Sequence, residues 1–179
     1  MIRLIPAFRA SVVAVGLMLA TVAVATAEEE AAAAKPFKPT IYVGPAFGVA
    51  FQDYDNDSST EFGWAMQVLA RPIQWLGLQL EYFNLGSIPQ SSGEFDGVYV
   101  GLMPILPLPA GFDLYGQVGA AFADAGDDVA AGAGVMYEVP VEFLEANKVD
   151  LVLRADYKYF NMDEGQHELL FGVMFGLHK

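Results

Sequence analysis

The feature that most constrains the fold is an alternation of large apolar side chains with small or polar ones, repeated in eight separate segments. Successive side chains in a β-strand point to opposite faces, so a period of two predicts strands that each have one apolar face. The segments are about ten residues long, which is the length that a tilted strand needs to cross the hydrocarbon layer of a bilayer. The eight segments are Thr40–Phe51, Glu61–Ala70, Leu76–Leu85, Asp96–Ile105, Phe112–Phe122, Val129–Val139, Asp150–Phe160 and Glu168–Leu177.

The face opposite the apolar one is mostly too small and uncharged to be a water-exposed surface, which argues against a soluble β-sandwich. After residue 27 no uncharged apolar run is long enough for a membrane helix. Backbone amides in lipid must be paired within the protein, and only helices or closed barrels achieve that. The sequence therefore predicts an all-β fold: a closed antiparallel up-and-down transmembrane β-barrel of about eight strands.

Prolines interrupt two of these segments. Pro45 lies inside the first one and is tolerated only at a bulge or where the backbone amide is unpaired. The fourth segment runs to Ile105, and the prolines Pro104, Pro107 and Pro109 are then expected to stop the strand.

The N-terminal residues have the three parts of a secretory signal peptide. Arg3 and Arg9 precede an uncharged apolar run, and the small residues Ala25–Ala27 form an A-x-A cleavage site. A retained membrane anchor is the alternative, but the run is shorter than the roughly 20 residues of a spanning helix. We expect a signal peptide over residues 1–27 with cleavage near Ala27, a flexible segment over 28–39, and the barrel over 40–179. Export then leads to the outer membrane of a Gram-negative cell envelope.

Charge and cysteine content exclude several classes of partner. Without residues 1–27 the chain has seven Lys and Arg against 22 Asp and Glu, a formal charge of −15, so nucleic acid is not an expected partner. The absence of cysteine excludes disulfides and thiolate metal sites. We expect no cofactor and a monomer whose partners are outer membrane lipids, lipopolysaccharide and, during insertion, the barrel-assembly machinery.

An even number of strands puts both termini on one side, which export makes the periplasmic side. The connections after strands one, three, five and seven then face outward and contain no Lys or Arg. Their acids are Asp53, Asp55, Asp57, Glu94, Asp124, Asp127, Asp128, Asp163 and Glu164.

Charged residues also fall on the predicted inner face of the barrel. These are Glu81, Asp113, Glu138, Arg154, Asp156 and Lys158. Because a buried charge is costly unless it is paired, we expect Arg154 and Lys158 to bridge to acids on other strands, with Glu81 as the most central one. The network formed by Glu81, Arg154, Asp156 and Lys158 acts either as packing within a plug or as the gate of a narrow ion path.

Aromatic residues near the strand ends predict girdles at the two lipid headgroup regions. They are Tyr42, Phe51, Phe62, Trp75, Tyr82, Phe95, Phe112, Phe122, Tyr159 and Phe175.

Four stretches resemble the barrel domain of the OmpA-type outer membrane β-barrel family: Ile41–Gly48, Leu78–Phe83, Leu114–Phe122 and Leu153–Phe160. The resemblance implies an eight-stranded barrel with interior charge pairs, which map here onto Glu81 and Arg154. The chain departs from that family in ending Gly-Leu-His-Lys, without a terminal aromatic residue, so Phe175 would have to serve in the assembly signal. No peptidoglycan-binding domain follows the barrel, so the envelope-tethering role is not implied.

The sequence contains no complete motif for a metal site or for a catalytic site. Asp53, Asp55 and Asp57 resemble the start of a calcium loop but lack its glycine and bidentate glutamate, so they are only weak metal candidates. No serine lies near His167 in sequence, and we expect no catalytic residues and no enzyme activity. The predicted function is a structural or surface-interaction role in the outer membrane. The alternatives are a narrow porin-like ion channel, a barrel enzyme acting on lipid A, and a soluble lipocalin-like binding barrel.

Overall fold

The computed structural model describes residues 37–54, 57–87, 94–124, 126–161 and 166–178, and within these ranges eight strands are present. The strands are β1 (Thr40–Tyr54), β2 (Asp57–Ile73), β3 (Leu76–Ser87), β4 (Glu94–Pro107), β5 (Phe112–Ala123), β6 (Gly126–Val139), β7 (Val149–Phe160) and β8 (Gln166–His178). A 3₁₀ turn, Pro109–Gly111, precedes β5, and a one-turn helix α1, Glu142–Ala146, precedes β7.

Each strand pairs antiparallel with its neighbours in the chain, and β1 also pairs with β8. The sheet therefore closes on itself, as the alternation predicted, and the predicted closed eight-stranded antiparallel barrel is confirmed. An eight-stranded barrel has an interior just wide enough for side chains, so its lumen is a packed core. The signal peptide and the segment before residue 37 lie outside the described residues and stay predictions.

Burial alternates along the strands as the sequence pattern requires. In β8, for example, Leu170, Gly172 and Met174 are buried, whereas Phe171 and Val173 are exposed. The exposed face is a continuous apolar surface: Phe62, Trp75 and Phe171 have more than half of their surface accessible. A surface of this kind is stable against lipid and unfavourable in water.

Two of the residues assigned to the aromatic girdles are not part of them. Tyr42 and Phe95 occupy positions of the alternation that face the lumen. They are buried, at 7% and 0% exposure, because they fill the barrel interior near its two ends. Exposed girdle positions include Phe51, Trp75 and Phe112, close to strand ends.

The prolines lie where the strand pairing is interrupted on one side. Between β1 and β8 the register passes from Val43–Phe175 to Ala46–Gly172, so Pro45 has no partner on β8 although its pairing with β2 continues. The same happens at Pro104, which pairs with β3 but not with β5. Pro104 lies within β4 because a missing amide hydrogen interrupts the pairing with one neighbouring strand only, and β4 ends at Pro107, within the group of prolines expected to stop it.

Most strands are longer than their sequence pattern indicated; β2, predicted over Glu61–Ala70, runs from Asp57 to Ile73. The polar ends extend beyond the apolar stripe from which the segments were recognised. In the described part of the chain, no helix has the length and apolar character that a membrane span requires.

Candidate functional site

The lumen is filled by two apolar layers with a polar layer between them. The outer apolar layer lies toward the barrel end that is predicted to face outward, and it includes Phe83, Phe95 and Phe160. The inner apolar layer lies toward the predicted periplasmic end, and it includes Leu69, Met103 and Met174. The order along β7 shows the arrangement: Val152 belongs to the inner layer, Arg154, Asp156 and Lys158 follow, and Phe160 belongs to the outer layer. Along β7 the charged residues therefore lie between two groups of apolar side chains.

Lys158 is the centre of the outer half of the polar layer. Its Nζ lies 2.6 Å from Oε1 of Glu168 on β8 and also forms an ion pair with Oε1 of Glu81 on β3. All three side chains are fully buried. The ammonium group also lies 4.7 Å from the ring centroid of Tyr99, an arrangement that adds a cation–π attraction. One lysine thus joins two acids on strands that are distant in sequence.

Arg154 organises the inner half of the same layer. Its guanidinium pairs with the carboxylate of Asp156, with an Nε–Oδ2 distance of 2.7 Å, and donates to the Tyr115 hydroxyl at 2.8 Å. The Tyr115 hydroxyl in turn donates to Asp156. The guanidinium is held at 4.8 Å from the ring centroid of Tyr115, so the tyrosine fixes both the position and the orientation of Arg154.

Glutamine side chains connect the two halves. Arg154 donates to Oε1 of Gln79 at 2.8 Å, and Nε2 of Gln79 donates to Oε2 of Glu81 at 2.7 Å. Nε2 of Gln67 on β2 also donates to Oε2 of Glu81, at 2.9 Å. These hydrogen bonds join the two halves into one connected polar network.

The structure brings the four predicted network residues, Glu81, Arg154, Asp156 and Lys158, into this layer. The direct ion-pair partner of Glu81 is Lys158, and that of Arg154 is Asp156. The Glu81–Arg154 pair that the resemblance implied is therefore present only through the amide of Gln79.

Sequence reasoning missed two charged members of the interior. Glu168 begins the apolar pattern of β8, and its even-numbered parity, the same as that of Leu170, was the available signal. Arg71 directly follows the predicted segment Glu61–Ala70, but it lies in β2 and pairs with Asp113, with an Nη1–Oδ2 distance of 2.6 Å. Glu138, predicted to lie inside, is exposed because it is close to the end of β6.

The weak metal candidates are not tested by these contacts. Asp55 lies outside the described residues, as do the side chains of Asp53 and Asp57. Within the described part of the chain, no group of three or more His, Cys, Asp or Glu residues forms a metal site.

His167, the histidine considered for catalysis, lies near the outer end of β8. Its Nδ1 is 2.5 Å from the hydroxyl of Tyr157, and its ring packs at 4.9 Å from that of Tyr159. Ser59, by contrast, has a buried hydroxyl and follows the lumen-facing parity of β2.

A closed eight-stranded barrel with an apolar outer surface and a lumen filled by side chains has the architecture of a transmembrane β-barrel. No protein-family model and no curated protein sequence matches the chain.

Solved structures do match, and they share this fold. The attachment invasion locus protein Ail of Yersinia pestis, solved in complex with the heparin analogue sucrose octasulfate, superposes with a TM-score of 0.56 at 15% identity, over 79% of this chain and 100% of that one. Neisserial surface protein A matches with a TM-score of 0.50 at 19% identity, over 78% of this chain and 98% of that one. The N-terminal β-barrel domain of Pseudomonas aeruginosa OprF gives a TM-score of 0.50 at 13% identity, over 78% and 98%. The chain therefore has the fold of the eight-stranded outer membrane barrels, as seen in Ail, Neisserial surface protein A and the OprF barrel domain.

Proposed function

We propose that the protein is a non-enzymatic, non-conducting outer membrane barrel that carries an acidic surface on its outward-facing loops. The observation on which this depends is the filled lumen. Phe83, Phe160 and Leu170 in the outer layer and Leu69 and Met103 in the inner layer are all fully buried.

A narrow ion path is the main alternative, and the packing of the lumen argues against it. An ion would have to pass two apolar layers and then replace the interactions of Lys158 with Glu81 and Glu168, which are fully desolvated. Breaking a buried ion pair costs several kcal/mol, and an apolar constriction excludes water. The network therefore acts as part of a plug.

The soluble and enzymatic alternatives have less support. A lipocalin-like barrel in water would expose the apolar surface that includes Phe62, Leu80 and Phe171. An acyl-transfer site needs a serine and a histidine within hydrogen-bond reach. His167 contacts Tyr157 and Tyr159, and the Ser59 hydroxyl is buried in the lumen.

Conductance in planar lipid bilayers tests the plug. We expect no discrete current steps from the wild-type protein, because no continuous water path crosses the two apolar layers. A variant with Phe83, Phe160 and Lys158 all changed to alanine serves as the positive control and should show steps. Discrete steps from the wild-type barrel, at the same voltage and salt, would instead support the ion-channel alternative.

The loops predicted to face outward are negatively charged, and this charge limits the surface partners that they can bind. In the sequence, the connections predicted to face outward contain Asp and Glu but no Lys or Arg. The heparin analogue bound to Ail is a polyanion, and a surface of this charge would repel such a ligand. We therefore propose lipopolysaccharide as the partner, with divalent cations bridging its phosphates to the loop carboxylates, around a monomeric barrel.

Association with lipopolysaccharide vesicles tests this partner. We expect co-sedimentation of the detergent-extracted protein in millimolar Mg²⁺ and a marked loss in EDTA, because like charges then face each other without a bridge. Changing Asp124, Asp127 and Asp128 to asparagine should reduce the Mg²⁺ dependence. Glu142→Gln, at the periplasmic end, is the matched control and should leave it unchanged; equal association in Mg²⁺ and EDTA would contradict the bridging.

A further inference from the structure

The outer mouth of the lumen, where β1 joins both of its neighbours, carries two carboxylates side by side. Ala50 of β1 pairs with Glu61 of β2 on one side and with Glu168 of β8 on the other. Ala50 and Glu168 are fully buried and Glu61 is half-buried. Directly opposed residues have Cβ atoms about 5 Å apart. The Cβ atoms of Glu61 and Glu168 are therefore about 10 Å apart, with only the methyl group of Ala50 between them.

Gln52 and Ser59, whose side-chain oxygens are neutral, occupy the next lumen-facing positions toward the outer end of the barrel. Gln52 of β1 pairs with Ser59 of β2, and the Gln52 side-chain amide nitrogen donates a hydrogen bond to the Leu85 carbonyl oxygen at 3.0 Å. Three oxygens at this mouth are buried and have no hydrogen-bond partner among the described residues: Gln52 Oε1, Ser59 Oγ and Glu168 Oε2. Buried polar atoms are nearly always satisfied in folded proteins, so these oxygens indicate a missing partner.

The described charges of the polar layer carry a net negative charge, which a cation at this place would compensate. The described polar layer has three carboxylates, on Glu81, Asp156 and Glu168, against the two cations Arg154 and Lys158. Glu168 uses Oε1 for Lys158, which is shared with Glu81, and its Oε2 is unpaired. Glu61 adds a further negative charge at the mouth. An uncompensated buried charge is unfavourable, so a bound cation would stabilise the barrel.

We propose that Glu61 and Glu168, together with Gln52 and Ser59, bind one Ca²⁺ ion at the outer mouth of the lumen. Ca²⁺ accepts an irregular set of carboxylate, amide and water oxygens, whereas Mg²⁺ demands near-ideal octahedral geometry. The ion connects β8, β1 and β2, so its binding energy stabilises the closure between the first and last strands. This inference rests on the fold and is independent of the surface partner proposed above.

The test measures thermal unfolding of the full chain, folded in detergent micelles and freed of metal with EDTA, while Ca²⁺ is added at constant ionic strength. The midpoint temperature should rise with the logarithm of Ca²⁺ concentration, because a ligand that binds only the folded state stabilises it by mass action. Calorimetric titration should give one tight site per barrel. Mg²⁺ should bind more weakly, and Na⁺ should have no saturable effect.

Two variants identify the ligands. Glu61→Gln and Glu168→Gln should each weaken Ca²⁺ binding roughly tenfold or more, since even outer-shell partners of a metal contribute that much. Glu61 is half-buried at the strand end, so its variant folds even if the Glu168 variant does not, and heat-modifiable gel migration checks both. The triple change of Asp124, Asp127 and Asp128 to asparagine is the control for the loop acids and should leave this site intact.

Two results would overturn the proposal. One is a Ca²⁺ effect that the loop variant removes and that Glu61→Gln and Glu168→Gln retain, since the ion would then bind the loops. The other is a midpoint temperature that does not respond to Ca²⁺ but changes with pH in a way that Glu168→Gln abolishes, since a proton would then neutralise Glu168.

Discussion

Replacing Lys158 with methionine is expected to lower the free energy of unfolding by about 3–5 kcal/mol, the usual effect of removing one partner of a buried ion pair. Lys158 contacts Glu81 and Glu168 at once, and both acids are fully buried. Methionine fills a similar volume, so the loss comes from two uncompensated carboxylates and not from a cavity. Urea-induced unfolding in detergent micelles, followed by tryptophan fluorescence, measures the change.

The control for this prediction removes all three charges. A variant with Lys158→Met, Glu81→Gln and Glu168→Gln should recover most of the lost stability, because neutral groups of the same shape replace a buried ion pair at little net cost. If the single and triple variants are equally unstable, the stability of this layer depends on the packing of the side chains and not on their charges. An unchanged stability in Lys158→Met would contradict the central role of the lysine.

Replacing Gly134 with valine is expected to cost about 3 kcal/mol, from overpacking and from a disturbed hydrogen bond between charged partners. A Cβ at Gly134 would collide with the Tyr115 hydroxyl and with the Ala155 carbonyl oxygen. The hydroxyl would have to leave Asp156 and Arg154, which it joins. The same unfolding experiment measures the loss, and fluorescence of the folded state checks assembly.

Gly116 offers the matched control on the neighbouring strand. A Cβ there would meet Pro104 Cγ at 3.7 Å, an ordinary contact, so Gly116→Ala should change stability by no more than about 0.5 kcal/mol. If both glycine variants are equally damaging, the cause is a general requirement for glycine in these strands. In that case the space left for Tyr115 would not be the reason.

Much of the barrel was predictable from local pattern. The parity of each strand depends only on which positions carry large apolar side chains, and it correctly assigned Phe171 to the lipid face and Arg154, Asp156 and Lys158 to the lumen. Strand ends were less predictable, because they are set by hydrogen bonds beyond the apolar stripe. This is why Arg71, which lies in β2, falls outside the predicted segment Glu61–Ala70.

The sequence by itself determined the two faces of every strand and hence the closed barrel, since an apolar face repeated with a period of two has only one stable arrangement in lipid. Only the tertiary structure decided the partners. Closure brings Glu81, Lys158 and Glu168 into contact from three strands, and it separates Arg154 from Glu81 by one glutamine. Parity fixes the direction of a side chain, but the stagger and tilt of the closed sheet fix which side chains meet across the lumen, and no local pattern encodes these.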